Sequence, residues 1–267
     1  MTQSDAPVLY DVQHGVVTLQ LNRPEASNAL DLPLVKSLSE ALRLAAAADD
    51  VAVLLLLGRG KVFCGGGDVA AMAGSEDRGA FLRELADAAH EVVRQLDQLE
   101  KPVVAGVQGA AAGAGLALTL ASDLVVAGGS AKFLCAYTAI GLTPDCGTSW
   151  LLPQAVGLQR ALQLTLTNRA LTAAEAQQWG VVTQTCADDQ VAATARAVAD
   201  ALAAGPARAL GLSRKLLRSA RTRSLDEHLD LEAASISAMG TTPEAEALVE
   251  HFAGRSRSRE SAPGVRR

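Results

Sequence analysis

Pro102-Val-Val-Ala-Gly-Val-Gln-Gly-Ala-Ala-Ala-Gly-Ala-Gly-Leu-Ala-Leu-Thr-Leu-Ala-Ser-Asp123 is the stretch whose reading decides the fold. It opens with an apolar run of the kind a buried strand presents, up to Val107. A glycine-rich turn, Gly109–Gly115, follows, where backbone can approach a ligand or another chain segment closely. An apolar helix then runs to about Ser122. A strand that enters a glycine turn and leaves as a helix is the building unit of α/β architecture.

Working outward, the same grammar recurs upstream. Val51-Ala-Val-Leu-Leu-Leu-Leu57 reads as a buried strand, Cys64-Gly-Gly-Gly-Asp68 as a glycine turn, and a helix is predicted from about Gly79 to Leu99. Earlier still, Val16–Leu21 reads as a strand and Asn22–Asn28 as a polar turn. Residues 30–47 carry helical spacing through Leu34, Leu38 and Leu42. Downstream, Leu124–Ala127 and the region of Phe133 supply further strands. Strand and helix alternate to about residue 187, which predicts an α/β class with mostly parallel strands. From Val191 the pattern is helical, interrupted at Gly205-Pro206 and Gly240, and the polar stretch from Gly254 to Arg267 is expected to fray.

Composition narrows the function classes. Hydrophobic residues make up 49% of the 267 and aromatics only 3%, so the core is aliphatic. A net charge of −5 argues against a dedicated nucleic-acid binder. The four cysteines (Cys64, Cys135, Cys146, Cys186) lack CxxC spacing, and the four histidines do not cluster with them, so no metal site is expected. No basic flank precedes an apolar run near the N-terminus, and no stretch of about twenty apolar residues occurs. A soluble, cytoplasmic protein without a membrane span is the expectation.

Asp145 is the single charge in the run from Phe133 to Trp150, set between Pro144 and Cys146-Gly147. Such an acid can take up a proton or act as a nucleophile. It can equally cap the helix that follows. The turn Gly109-x-x-x-Gly113-x-Gly115 departs from the dinucleotide fingerprint, whose third glycine falls at Leu118. It is read instead as close helix packing, or as N–H groups presented to negative charge at a helix N-terminus.

Five motifs occur in register: Asn22-Arg-Pro-Glu-Ala-Ser-Asn-Ala-Leu30, Phe63-Cys-Gly-Gly-Gly-Asp68, Lys101-Pro-Val-Val-Ala105, the turn closing at Ala121-Ser-Asp123, and Ala170–Val182. Together they resemble the enoyl-CoA hydratase/isomerase (crotonase) superfamily over roughly residues 8 to 255. The resemblance implies an α/β spiral of ββα turns with a C-terminal helical trimerisation region. It places a core for acyl-CoA binding and catalysis at 1–195, the helical region at 196–255 and a disordered tail at 256–267. It also implies acyl-CoA thioester substrates, an oxyanion hole from the N–H groups of Gly67 and Ala114, and a homotrimer or dimer of trimers. No metal or redox cofactor is implied, because coenzyme A arrives with the substrate.

The sequence departs from that family in its acids. Hydratases of the family use two glutamates, and the matching positions here are Ala117 and Tyr137. Asp145 stands where the hydratases have glycine. The runs Ile140–Pro153 and Leu225–Glu232 resemble the 1,2-epoxyphenylacetyl-CoA isomerase branch. Ala131–Ala136 and Leu166–Arg169 resemble the 4-chlorobenzoyl-CoA dehalogenase branch. His90 and Tyr137 are therefore acyl-pocket candidates, and Ala26, Asp68, Lys215 and Phe252 are CoA-binding candidates. Arg214, Lys215 and Arg218 read either as a solvated helix face or as contacts to CoA phosphates. The expected activity is isomerisation with Asp145 as proton shuttle. The alternatives are a hydratase, a dehalogenase-like hydrolase, and a non-catalytic acyl-CoA-binding protein.

Overall fold

The computed structural model describes residues 6–260, with side-chain surroundings as far as residue 253. Strands β1 (Val8–Gln13) and β2 (Val16–Leu21) form an antiparallel hairpin. Its turn residues, His14 and Gly15, both have positive φ (52° and 75°), which suits the right-handed twist of the strands. Parallel strands β3 (Val53–Gly58) and β4 (Val103–Val107) extend the sheet from β2. A smaller sheet contains β5 (Ala110–Ala112), and β6 (Leu124–Gly128) joins β4 in the main one. Strand β7 (Lys132–Leu134) pairs parallel with β5 and antiparallel with β8 (Leu171–Thr172). Strand β9 (Gln184–Cys186) closes the main sheet, whose order is β1-β2-β3-β4-β6-β9.

Every residue of β3 is buried because both faces of the sheet are covered. Leu54 and Leu56 point into the larger core with helix α1 (Leu32–Ala47), whose inner face is Leu34, Val35, Leu38, Ala41, Leu42 and Ala45. Asp31 caps α1 by accepting from the Leu34 N–H at 2.9 Å. A short helix α2 (Val69–Gly74) leads to α3 (Arg78–Gln98), which buries Leu85, Ala89, Val92 and Leu96. Helices α4 (Ala114–Ala121), α5 (Thr148–Val156), α6 (Leu158–Thr167) and α7 (Ala173–Gln178) complete that side. Val53, Leu55 and Leu57 face the other way, onto Ala195 and Ala199 of α8 (Val191–Ala203).

The core boundary expected at residue 195 lies within this helix, whose apolar face seals the second side of the sheet. The C-terminal helices are α9 (Ala207–Ser219), α10 (Leu225–Gly240) and α11 (Pro243–Glu260). Helix α11 continues through 256–260, inside the stretch expected to be disordered, and 261–267 lie outside the described residues.

Helix α9 is docked by charge. Arg214, 7% exposed, donates from Nε to Asp123 at 2.6 Å and from its Nη atoms to the carbonyls of Leu96, Asp97 and Leu99. One turn on, Arg218 donates to Asp123 at 2.7 Å and to the Ala121 carbonyl at 2.7 Å. The two cations thus cap the C-terminal ends of α3 and α4, where dipole and orphan carbonyls favour positive charge. Asp123 also accepts the Val103 N–H at 2.8 Å. The expected solvated or phosphate-binding face is therefore corrected at Arg214 and Arg218. Lys215, rotated about 100° from Arg214 on the helix, stays exposed and pairs with Glu100.

Removing one partner of a buried pair leaves the other uncompensated, so Arg214→Met should lower unfolding stability by about 3–5 kcal/mol in urea titration. Lys215→Met should change it by under about 1 kcal/mol. A pH effect follows from the buried thiols. Burial pushes Cys64 up to about 12 from its ordinary 9.0, and also raises Cys146 and Tyr137. The unfolded chain releases these protons at their ordinary values while the fold retains them, so stability is full below the unfolded value and drains as pH rises. Urea midpoints should hold steady below pH 9.0 and fall as pH climbs toward about 12; a midpoint that stays level over that window contradicts this account.

Candidate active site

The two glycine turns meet through backbone. Cys64 N–H donates to the Ala110 carbonyl at 3.2 Å, and Ala112 N–H donates to the Cys64 carbonyl at 3.0 Å. Gly115 lets α4 start against this bridge: a Cβ there would lie 2.3 Å from the Cys64 carbonyl oxygen. Gly67 is held from the other side by a bridge to Leu30, with Leu30 N–H on the Gly66 carbonyl at 2.7 Å and Asp68 N–H on the Leu30 carbonyl at 3.0 Å. The N–H groups of Gly67 and Ala114 find no acceptor among the described residues. Ala114 opens α4 and is not among the positive-φ residues, so alanine sits there without strain.

Both residues line a cavity of about 350 Å³, within the range of small-molecule sites. Its wall is largely apolar, with Leu30, Met72, Leu82, Leu85, Ile140 and Leu142 prominent. Tyr137 and Asp145 also line it, so four of the sequence candidates come together: Gly67, Ala114, Tyr137 and Asp145. Asp145 is the only carboxylate in the cavity wall among the described residues.

Asp145 sits at the start of a tight turn, before Cys146 (φ 49°) and Gly147 (φ 74°). Its backbone carbonyl accepts the Thr148 N–H at 2.9 Å, but the N-cap position of α5 is Gly147 and no side chain caps the helix. No cap bond to α5 therefore engages the Asp145 side chain, and the residue lines the cavity. The Tyr137 hydroxyl lies 3.5 Å from the Asp145 carbonyl oxygen and 3.4 Å from the buried Thr148 hydroxyl. Burial, with the nearby Cys146 and Asp145, raises the Tyr137 phenol further above its ordinary 10.0, so it stays neutral at working pH.

The remaining candidates fall elsewhere. Helix α3 lines the cavity with Leu82, Arg83, Leu85, Ala86 and Ala89. His90 follows Ala86 by four residues and Arg83 by seven, at the border of that face, and is not itself among the lining residues. Asp68 is committed twice, capping α2 through the Ala71 N–H at 3.0 Å and pairing with Arg23 at 3.1 Å. Those bonds, the Ala71 N–H foremost, hold its carboxyl below the usual range. Ala26 is half-buried in a 3-10 turn, Pro24–Ala26, and Phe252 is exposed on α11. Ala26, Asp68, Lys215 and Phe252 all lie outside the cavity lining. Among the described residues no three His, Cys, Asp or Glu side chains gather as a metal site, and no helix is long and apolar enough to cross a membrane.

Sequence reasoning missed Met72, Thr143 and Cys146 as wall residues, and missed Asn28. Asn28 is fully buried and donates to the carbonyls of Arg59 (2.9 Å), Val62 (2.8 Å) and Phe63 (3.1 Å). A buried polar residue in a turn motif was the available signal.

The enoyl-CoA hydratase/isomerase family model matches residues 11–258. The chain is 40% identical over 230 residues to 1,2-epoxyphenylacetyl-CoA isomerase of Escherichia coli (strain K12), covering 84% of this chain and 87% of that one. It is 32% identical over 256 residues to 4-chlorobenzoyl coenzyme A dehalogenase-2 of Arthrobacter sp, covering 95% and 90%. The crystal structure of an enoyl-CoA hydratase from Polaromonas sp. JS666 superposes with a TM-score of 0.88 at 27% identity, covering 93% of this chain and 97% of that one. The matched residues run through both glycine turns, the Asp145 turn and on into α11. The chain therefore belongs to the enoyl-CoA hydratase/isomerase family, whose members act on acyl-CoA thioesters.

Proposed function

We propose that this protein isomerises an enoyl- or ring-epoxide acyl-CoA, with Asp145 as a proton shuttle. The observation that carries the reading is the pairing of a lone cavity carboxylate with two unengaged backbone donors. The thioester carbonyl accepts hydrogen bonds from the N–H groups of Gly67 and Ala114. As a proton leaves carbon, negative charge builds on that oxygen, and fixed donors in a largely apolar cavity stabilise it there. Asp145 takes the proton from one carbon and returns it at another, so no proton is gained or lost over the cycle.

The neighbouring readings fit less well. Hydration needs a second group to activate water, and Ala117 carries none while Tyr137 stays protonated. Aryl attack by Asp145 in the manner of a dehalogenase calls for a histidine in the pocket, and His90 lies outside the lining. The 40% identity to an isomerase supports the same choice.

The proposal extends to self-association as a trimer or dimer of trimers. Leu217, Leu225, Ile236, Val249 and Phe252 of the C-terminal helices are between 68% and 77% exposed in the single chain. Large apolar side chains left this exposed favour a protein partner, and a second copy of the chain is always at hand.

Asp145→Asn should lower isomerase turnover by roughly 10²–10⁴-fold, with acyl-CoA binding by calorimetry nearly unchanged; full turnover in that variant rules Asp145 out as the shuttle. Light scattering after size exclusion should give three or six times the chain mass. A stable monomer at micromolar concentration removes the assembly proposal.

A further inference from the structure

The bridge that holds Gly67 is clasped from outside the cavity by one side chain. Arg23 donates from Nη1 to the Ala29 carbonyl at 2.6 Å, and the same nitrogen lies 3.1 Å from Asp31. Its Nη2 donates to Asp68 at 3.1 Å. Ala29 and Asp31 flank Leu30, and Asp68 follows Gly67, so the guanidinium spans the two segments that the Leu30–Gly67 bridge joins. Arg23 is itself anchored, because its backbone N–H donates to the Asn28 side chain at 2.9 Å and its carbonyl accepts the Asn28 N–H at 2.8 Å. Arg23 and its two carboxylate partners are 15% to 22% exposed, so the pairs are only partly screened. The clasp reaches the cavity wall as well. Asp68 caps α2, which supplies Val69 and Met72 to the wall, and a Cβ on Gly67 would lie 2.5 Å from the Met72 methyl.

We propose that Arg23 is a positioning residue for the oxyanion hole, fixing the Gly67 N–H at the thioester oxygen without touching substrate. The inference rests on the acyl-CoA reading of the cavity given above. Its action is geometric. One cation faces two carboxylates, so the cluster carries a net negative charge that would oppose an oxyanion if field alone mattered. What the clasp supplies is a fixed angle between two chain segments, and a hydrogen-bond donor displaced by about 1 Å can lose up to about 100-fold in rate.

The test binds cinnamoyl-CoA, whose conjugated thioester absorbs further to the red as its carbonyl is polarised, and measures isomerase kinetics alongside. Arg23→Met should lose most of the red shift and lower kcat by about 10- to 100-fold, with KM little changed and the urea midpoint showing a folded protein. Arg23→Lys should restore part of both signals. Asp68→Asn keeps an N-capping side chain for α2 but removes the charge Arg23 grips, and it should lose red shift too. If Asp68→Asn increases the shift, the effect is electrostatic and the positioning role is wrong. A folded Arg23→Met protein with wild-type shift and kcat overturns the proposal outright. Should wild-type protein show no red shift, the acyl-CoA reading of the cavity and this proposal fall together. If the wild-type shift is present and Asp145→Asn retains turnover, only the shuttle assignment fails.

Discussion

The site depends on one backbone constraint: Cys64 must pair with β5 on both of its polar groups. Cys64 is wholly buried, and a buried N–H or carbonyl without a partner costs about as much as a lost hydrogen bond. The Ala110 carbonyl and Ala112 N–H answer that demand. Satisfying it draws together turns separated by some forty residues of sequence, and it seats the first turn of α4 on the Cys64 peptide, where only a glycine at position 115 fits. Gly67 and Ala114 then emerge on one cavity wall as a consequence of strand pairing.

Another part of the wall is shaped by strain. Ala136 and Cys146 adopt left-handed φ of 61° and 49°, which non-glycine residues rarely do, and both line the cavity. The Cys146–Gly147 turn carries the chain into α5 while Asp145 stays in the cavity wall. Tyr137 buttresses this turn through Thr148 and the Asp145 carbonyl.

Much of this was legible in the sequence, for definite physical reasons. The all-apolar β3 and β4 and the helical spacing of α1 are strong periodic signals, and the glycine turns mark close approach. Strand β1 was not foreseen, because its outer residues are exposed and Tyr10-Asp11-Val12-Gln13 carries little hydrophobic pattern. Arg214 and Arg218 read as surface charge because sequence shows a cation but not the carbonyls it caps. The Arg23 clasp was equally hidden, since its partners Ala29, Asp31 and Asp68 become neighbours only once Leu30 bridges Gly67.

On the function proposed above, the donors that face the substrate oxygen are peptide N–H groups, and this has a consequence for how such a protein changes over time. Side-chain mutation cannot delete a peptide donor; it can only move it. The acids are different, since each is one codon away from loss or gain, as Ala117 and Asp145 illustrate here. The charge-stabilising half of the site is thus inherited with the fold, while the proton-handling half is free to be rewritten. A lineage can exchange one reaction for another without passing through a form that no longer holds the enolate.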